Sequence, residues 1–99
     1  MIKITEKQFS QQVIDLAHTL GWRIYRTWSS LHSPKGYPDL TFCKPPRLIL
    51  AELKVGKGHL TEAQAEWLTD LRACPGVEIF VWFPEDLEHI AEILGGKLA

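Results

Sequence analysis

Along residues 5–20 the apolar side chains Phe9, Val13, Leu16, Ala17 and Leu20 recur at steps of three and four, which predicts an amphipathic helix with Thr5 as N-cap and Gly21 at its C-terminal end. Residues 22–28 are dense in β-formers and predict a first strand, whereas residues 29–36 have the composition of an exposed loop. Two further strands, at 39–44 and 47–55, flank Pro45-Pro46, where two residues without N–H groups cannot continue a ladder, so a hairpin is expected. Leu60, Ala63, Trp67, Leu68 and Leu71 mark a second helix capped by Thr61 and ended by Cys74-Pro75-Gly76. Residues 77–83 are almost continuously apolar, the pattern of a central strand covered on both faces. Pro84 then opens a last helix, favoured by Glu85 and Asp86 in its first turn, with Leu87, Ile90, Ile93 and Leu94 turned inward. The order αβββαβα predicts an α/β fold with a mixed four-stranded sheet flanked by helices.

With 99 residues, 45% of them hydrophobic, the chain suits one domain over residues 1–99 with a single core. The first residues lack the apolar run of a signal peptide, and no stretch nears the roughly 20 apolar residues of a membrane span. A cytoplasmic location without membrane association is therefore expected. Cys43 and Cys74 show no C-x-x-C spacing, so two buried reduced thiols are expected rather than a disulfide or zinc site. The net charge of −1 conceals a division along the chain. Residues 22–58 hold seven lysines and arginines against two acids, while residues 59–99 hold two against eight. Such asymmetry suits an electropositive face for a polyanion, nucleic acid above all.

The two acids of the basic segment are Asp39 and Glu52. Strand alternation points Glu52 and Lys54 to one side, about 7 Å apart along the backbone. A hairpin centred on Pro45-Pro46 pairs 39 near 52 and brings the carboxylates face to face, an arrangement that needs a proton or a cation between them. Hard oxygen ligands on a rigid sheet suit Mg²⁺ or Mn²⁺, and Lys54 beside them can neutralise charge growing on a phosphate. No organic cofactor is called for.

Gly36-Tyr37-Pro38-Asp39, then Glu52-Leu53-Lys54, then Gln64 in the following helix resembles the VRR-NUC nucleases of the restriction-endonuclease-like superfamily. The resemblance spans nearly the whole chain and implies that superfamily's PD-(D/E)XK site and αβββαβ core, here followed by a C-terminal helix. It further implies a metal-dependent endonuclease acting on branched or flapped DNA, of the stand-alone phage type. By the same resemblance Asp39, Glu52 and the Leu53 carbonyl hold the ion, Lys54 is the catalytic lysine and Gln64 supports the site. A first-helix glutamate completes the pattern, with Glu6 and Gln12 as candidates. On a wheel of about 100° per residue Glu6 falls with the apolar stripe and Gln12 well off it, which favours Glu6.

Arg26, Lys35 and Lys57, with Gly36 nearby and Gly56 and Gly58 allowing close approach, are the expected backbone contacts to DNA. His32 and His59 border the site without an assigned role. Trp22, Trp28, Trp67 and Trp82 are expected in the core or at the interface of a homodimer that reads DNA shape rather than sequence. Two competing functions are a branched-DNA-binding module that cuts poorly and an interaction module using the acidic C-terminal third.

Overall fold

The computed structural model describes residues 3–28 and 33–96. Helix α1 (Glu6–Thr19) begins where Thr5 and Gln8 cap each other: the Gln8 amide N–H donates to Thr5 Oγ1 at 3.1 Å, and the Thr5 N–H donates to Gln8 Oε1 at 2.9 Å. Its buried side is Phe9, Val13 and Ala17. It stops at Gly21, whose φ of +89° turns the chain away. Strands β1 (Arg23–Arg26), β2 (Leu40–Lys44) and β3 (Arg47–Leu53) follow, then α2 (Glu62–Arg72), β4 (Val77–Trp82), a 3₁₀ turn (Pro84–Asp86) and α3 (Leu87–Leu94). The order agrees with the reading of the hydrophobic pattern, with the strands one to three residues shorter.

The sheet runs β1-β2-β3-β4, antiparallel through β3 and parallel between β3 and β4, where α2 makes the crossover. The β2–β3 hairpin has the register expected from Pro45-Pro46: Leu40 lies opposite Ala51 and Lys44 opposite Arg47. Asp39, one residue before β2, is thereby set against Glu52. One position is corrected. The apolar run at 77–83 is not central, because β4 forms the sheet's edge while β3 lies inside and is buried from Ile49 to Leu53. Both faces of β4 are nonetheless partly covered, which is what its composition reflects.

Helices α1 and α3 pack against each other, with α1 also lying on β1 and β3, while α2 packs on β4. The core joins Phe9, Val13 and Ala17 of α1 to Phe42, Ile49, Leu53 and Trp82 of the sheet and to Ile90, Ile93 and Leu94 of α3. Phe80 stacks on Trp82 at 5.1 Å, and Trp22 meets Phe42 edge-on. Burying each such side chain stabilises the fold by roughly 1.5–3 kcal/mol. Further corrections concern single residues. Cys43 and Cys74 are exposed rather than buried: Cys43 sits on the sheet surface opposite Phe42's side, and Cys74 beyond the end of α2. Leu60 is exposed ahead of the Thr61 cap rather than part of the helix stripe. Trp28, at 82% exposure, stands outside the core, as a residue of the expected interface would in a single chain.

Candidate active site

Glu52 is the buried charged side chain among the described residues, at 2% exposure. The alternation of β3 explains its position. Ala51 and Leu53 face α1 and α3, so Glu52 and Lys54 face the α2 side, where the helix begins over them. Thr61 and Gln64 close a second reciprocal cap: the Thr61 N–H donates to Gln64 Oε1 at 2.9 Å, and the Gln64 N–H to Thr61 Oγ1 at 3.1 Å. This leaves the Gln64 amide nitrogen to donate to Glu52 Oε2 at 2.9 Å. The Lys54 ammonium lies 3.8 Å from the same oxygen. Gln64 and Lys54 are thus both brought to Glu52.

Asp39 reaches the group from β2's entrance. Its Oδ2 accepts from the Leu53 N–H at 2.8 Å, fixing the carboxylate against the end of β3. The backbone that carries it is held on both sides. The Thr27 N–H donates to the Asp39 carbonyl at 2.9 Å, and the Thr27 hydroxyl to the Pro38 carbonyl at 2.7 Å. Gly36, at φ +96°, lies so close to α2 that a Cβ there would come within 2.5 Å of the Ala63 carbonyl carbon. Tyr37 packs edge-on against Trp67 at 5.0 Å. Gly36 therefore has a packing role whatever it does toward DNA: with Tyr37 it clamps the Pro-Asp turn to the helix that carries Gln64. Thr27 and the Tyr37–Trp67 pair were not identified from the sequence. A hydroxyl one residue beyond a strand and two aromatics thirty positions apart give no periodic signal.

The electrostatics are unresolved within the protein. Burial, then the neighbouring Asp39 charge, push the Glu52 carboxyl up to about 8, with Lys54 opposing; Asp39 as acceptor of its proton and Glu6 as a more distant like charge add to the rise. When Glu52 is ionised, its buried Oε1 has no hydrogen-bond partner. A buried acceptor left so costs on the order of 1–3 kcal/mol, and more when charged. A divalent cation between Asp39 and Glu52 would satisfy that oxygen and remove the repulsion, so the donor set fits Mg²⁺ or Mn²⁺. Among the described residues no three His, Cys, Asp or Glu side chains converge closely enough to form a cage. An ion held here would take the rest of its shell from backbone carbonyl and water, as Mg²⁺ commonly does.

Beside this pair a cleft of about 300 Å³ is lined by Glu6, Lys7, Ser10, Arg26, Thr27, Asp39, Leu40 and Leu53. Glu6 is exposed rather than buried with the apolar stripe, but it faces the site. Gln12 lines a separate groove with Ile4, Gln8, Gln11 and Asp15. Of the other residues expected to meet DNA, Arg26 lines the cleft and donates to Ser10 Oγ at 3.0 Å. Lys35 and Lys57 are exposed in flanking loops, as is His59, and His32 lies outside the described residues. Gly58 keeps its turn against the Lys54 stem, where a Cβ would sit 3.5 Å from Lys54 Cδ.

No protein-family model matches the chain, and no curated protein matches it. No helix among the described residues is long and apolar enough to cross a membrane. A solved structure named "VRR_NUC domain protein" superposes with a TM-score of 0.74, covering 99% of this chain and 95% of that chain at 19% identity. Identity that low speaks to architecture rather than chemistry. The chain accordingly has the fold of a VRR-NUC domain, with the mixed sheet and flanking helices of the restriction-endonuclease-like arrangement.

Proposed function

We propose that the protein is a divalent-metal-dependent DNA endonuclease selective for branched structures such as four-way junctions or flaps. The observation that carries this reading is the buried Glu52 carboxyl, set against Asp39, with Gln64 and Lys54 on one oxygen and nothing on the other. Its shared fold with a VRR-NUC domain supports it.

Asp39, Glu52 and the Leu53 carbonyl would hold Mg²⁺ or Mn²⁺. When bound, the ion supplies Lewis-acid polarisation of the phosphodiester and neutralises negative charge. Gln64 fixes the Glu52 rotamer through its amide, and the Leu53 N–H does the same for Asp39. Lys54, held beside Glu52, presents an ammonium to the phosphate oxygen on which charge develops. Glu6, on the α1 wall of the cleft, orients or deprotonates the attacking water. Arg26, Lys35 and Lys57 hold flanking phosphates, which gives affinity without sequence information and a steep salt dependence. The protein acts as a homodimer in the cytoplasm, where two sites at fixed separation suit the paired strands of a junction.

A second reading, a branched-DNA-binding module that cuts poorly, is favoured by the sparse ligand set. Cleavage of plasmid, flap and four-way junction with Mg²⁺, Mn²⁺ or EDTA separates the two. Metal-dependent cutting that prefers branched substrates is expected; junction binding without cutting in either metal would establish the second reading instead.

A further inference from the structure

Trp28 is out of keeping with the other tryptophans. Trp22, Trp67 and Trp82 each pack against another aromatic ring, whereas Trp28 is 82% exposed. It directly follows Thr27, a residue of the cleft wall. Ile24 packs on the core and Arg26 bonds Ser10 of α1, so alternate residues of β1 turn toward α1. The Thr27 N–H donates to the Asp39 carbonyl and so carries the β1–β2 pairing one step beyond the strand; the same alternation continued to the next residue puts Trp28 on the side of Arg26. Two residues along a strand separate Arg26 from Trp28 by about 7 Å, the scale of a single nucleotide.

The cations of this wall are available. Lys7 and Arg26 line the cleft together with Glu6 and Asp39, yet the ion pairs among the described residues are Arg47–Glu78 and Lys54–Glu52. Arg26 gives one N–H to Ser10 Oγ, which holds the guanidinium against α1 and leaves its remaining donors for a ligand. An exposed indole two residues from Arg26 and directly after Thr27 of the cleft lining, with Lys7 on the same cleft and neither cation ion-paired among the described residues, has the composition of a single-strand nucleic-acid surface. Such surfaces combine a cationic track for phosphates with an aromatic face for bases.

We infer that the α1–β1 wall of the cleft is a subsite for unpaired DNA, in which Lys7 and Arg26 take a backbone phosphate and Trp28 stacks on the adjoining base. It deepens the nuclease reading, on which it rests for its place in a reaction, by making the strand that leaves the site on this side single-stranded. A second protein chain seated on Trp28 is disfavoured by the same geometry: it would meet two cations and cover the cleft over Asp39.

Binding in EDTA, where nothing is cut, tests the subsite. Wild-type protein is titrated with a short oligothymidylate and with a blunt duplex while tryptophan emission is followed. Quenching by the oligothymidylate is expected and is lost in both Trp28→Ala and Trp28→Phe, while affinity, followed by the anisotropy of a labelled oligothymidylate, falls about tenfold in Trp28→Ala and is largely kept in Trp28→Phe. Lys7→Ala and Arg26→Ala should each lower the salt slope of single-strand binding by about 0.7. Tyr25→Ala, on the opposite side of the same strand, should leave binding unchanged. Wild-type affinity and quenching in Trp28→Ala would overturn the inference. So would an equal loss in Tyr25→Ala, or light scattering that shows Trp28→Ala splitting a dimer. If these binding changes appear while neither Mg²⁺ nor Mn²⁺ supports cutting, the subsite stands and the nuclease reading falls.

Discussion

The two ends of β3 handle charge in opposite ways. At its start Arg47 meets Glu78 of β4 through two hydrogen bonds, Nε to Oε2 at 2.8 Å and Nη2 to Oε1 at 2.6 Å. Its Nη1 donates to the Ile93 carbonyl at 2.9 Å, and its guanidinium lies 5.2 Å from the Trp22 ring centroid. Opposite charges, planar geometry and a helix-end carbonyl complete one another, and the bond to Glu78 raises the Arg47 pKa further. Near the other end Glu52 faces a like charge, with one oxygen unsatisfied. The first cluster uses its charge to tie β3, β4 and α3 together. The second is an arrangement that only a proton or a cation settles, and a site for a cation is therefore to be sought there.

Exchanging the clusters' roles by mutation gives the largest effect. Asp39→Ala or Glu52→Gln should lower single-turnover DNA cleavage by more than about a hundredfold, the upper range for residues that merely support a metal ligand. Each should leave the fold intact, because either change also relieves the repulsion. Lys54→Ala should slow the same step while metal affinity is kept, as for a group that meets charge developing in the transition state. Single-turnover rates alongside Mn²⁺ titration separate these roles. Glu52→Gln cutting at the wild-type rate in Mn²⁺ would remove the comparison altogether.

The pH dependence of stability should follow from the same end of the strand. Glu52 titrates near 8 in the folded protein against an ordinary 4.5, so across that interval the folded state holds a proton that the unfolded state has released. The contribution is complete below the lower value and is lost as pH rises through the upper one. Urea unfolding in EDTA should therefore show wild-type stability falling from about pH 5 to about pH 8 by more than in Glu52→Gln, which cannot ionise there. Parallel profiles for the two proteins would mean that Glu52 is already ionised at neutral pH and that its neighbours satisfy it.

How far the sequence reveals each end differs for a physical reason. The meeting of Asp39 with Glu52 was legible because Pro45-Pro46 sets a hairpin centre, and a hairpin centre sets every pair by counting. Helix starts at Thr5 and Thr61 were legible because the caps are local. The edge position of β4 was not, since apolar composition reports cover on a strand's faces and says nothing of hydrogen-bonding along its sides. Cys43 was misplaced for a related reason: α2 packs on β4, and the β1–β2 surface away from α1 stays open. The clamp of Gly36 and Tyr37 on α2 depends on residues far apart in sequence, which no local pattern joins.

The complete cluster should matter to stability alone. Arg47→Met keeps part of the stem that packs near Trp22 but removes the hydrogen bonds to Glu78 and to the Ile93 carbonyl. Side chains here are 17% and 21% exposed, so solvent takes up part of the loss. A cost of about 2 kcal/mol is expected, within the range for hydrogen bonds to charged groups. Urea unfolding measures it, and single-turnover cleavage on saturating DNA should be unchanged. A slower cut with unaltered stability would show that this end of β3 communicates with the site.

The smallest effect sharpens the comparison most, because it rests on two nearly identical structures. Thr5 with Gln8 and Thr61 with Gln64 form the same reciprocal cap, with matching distances of 2.9 and 3.1 Å in each. Thr5→Ala and Thr61→Ala should each cost about 1 kcal/mol of stability. Only the second cap has a further task. Its glutamine holds Glu52 Oε2 through the amide nitrogen while its carbonyl oxygen holds the helix start, so loosening the start of α2 loosens the donor to Glu52. Thr61→Ala should therefore reduce cleavage severalfold where Thr5→Ala does not, at equal cost to the fold. Denaturant midpoints matched between the two variants, with single-turnover rates measured beside them, isolate that difference. Equal rates would mean that Gln64 holds Glu52 whatever happens to the cap, and that the site depends on the body of α2 rather than its first turn.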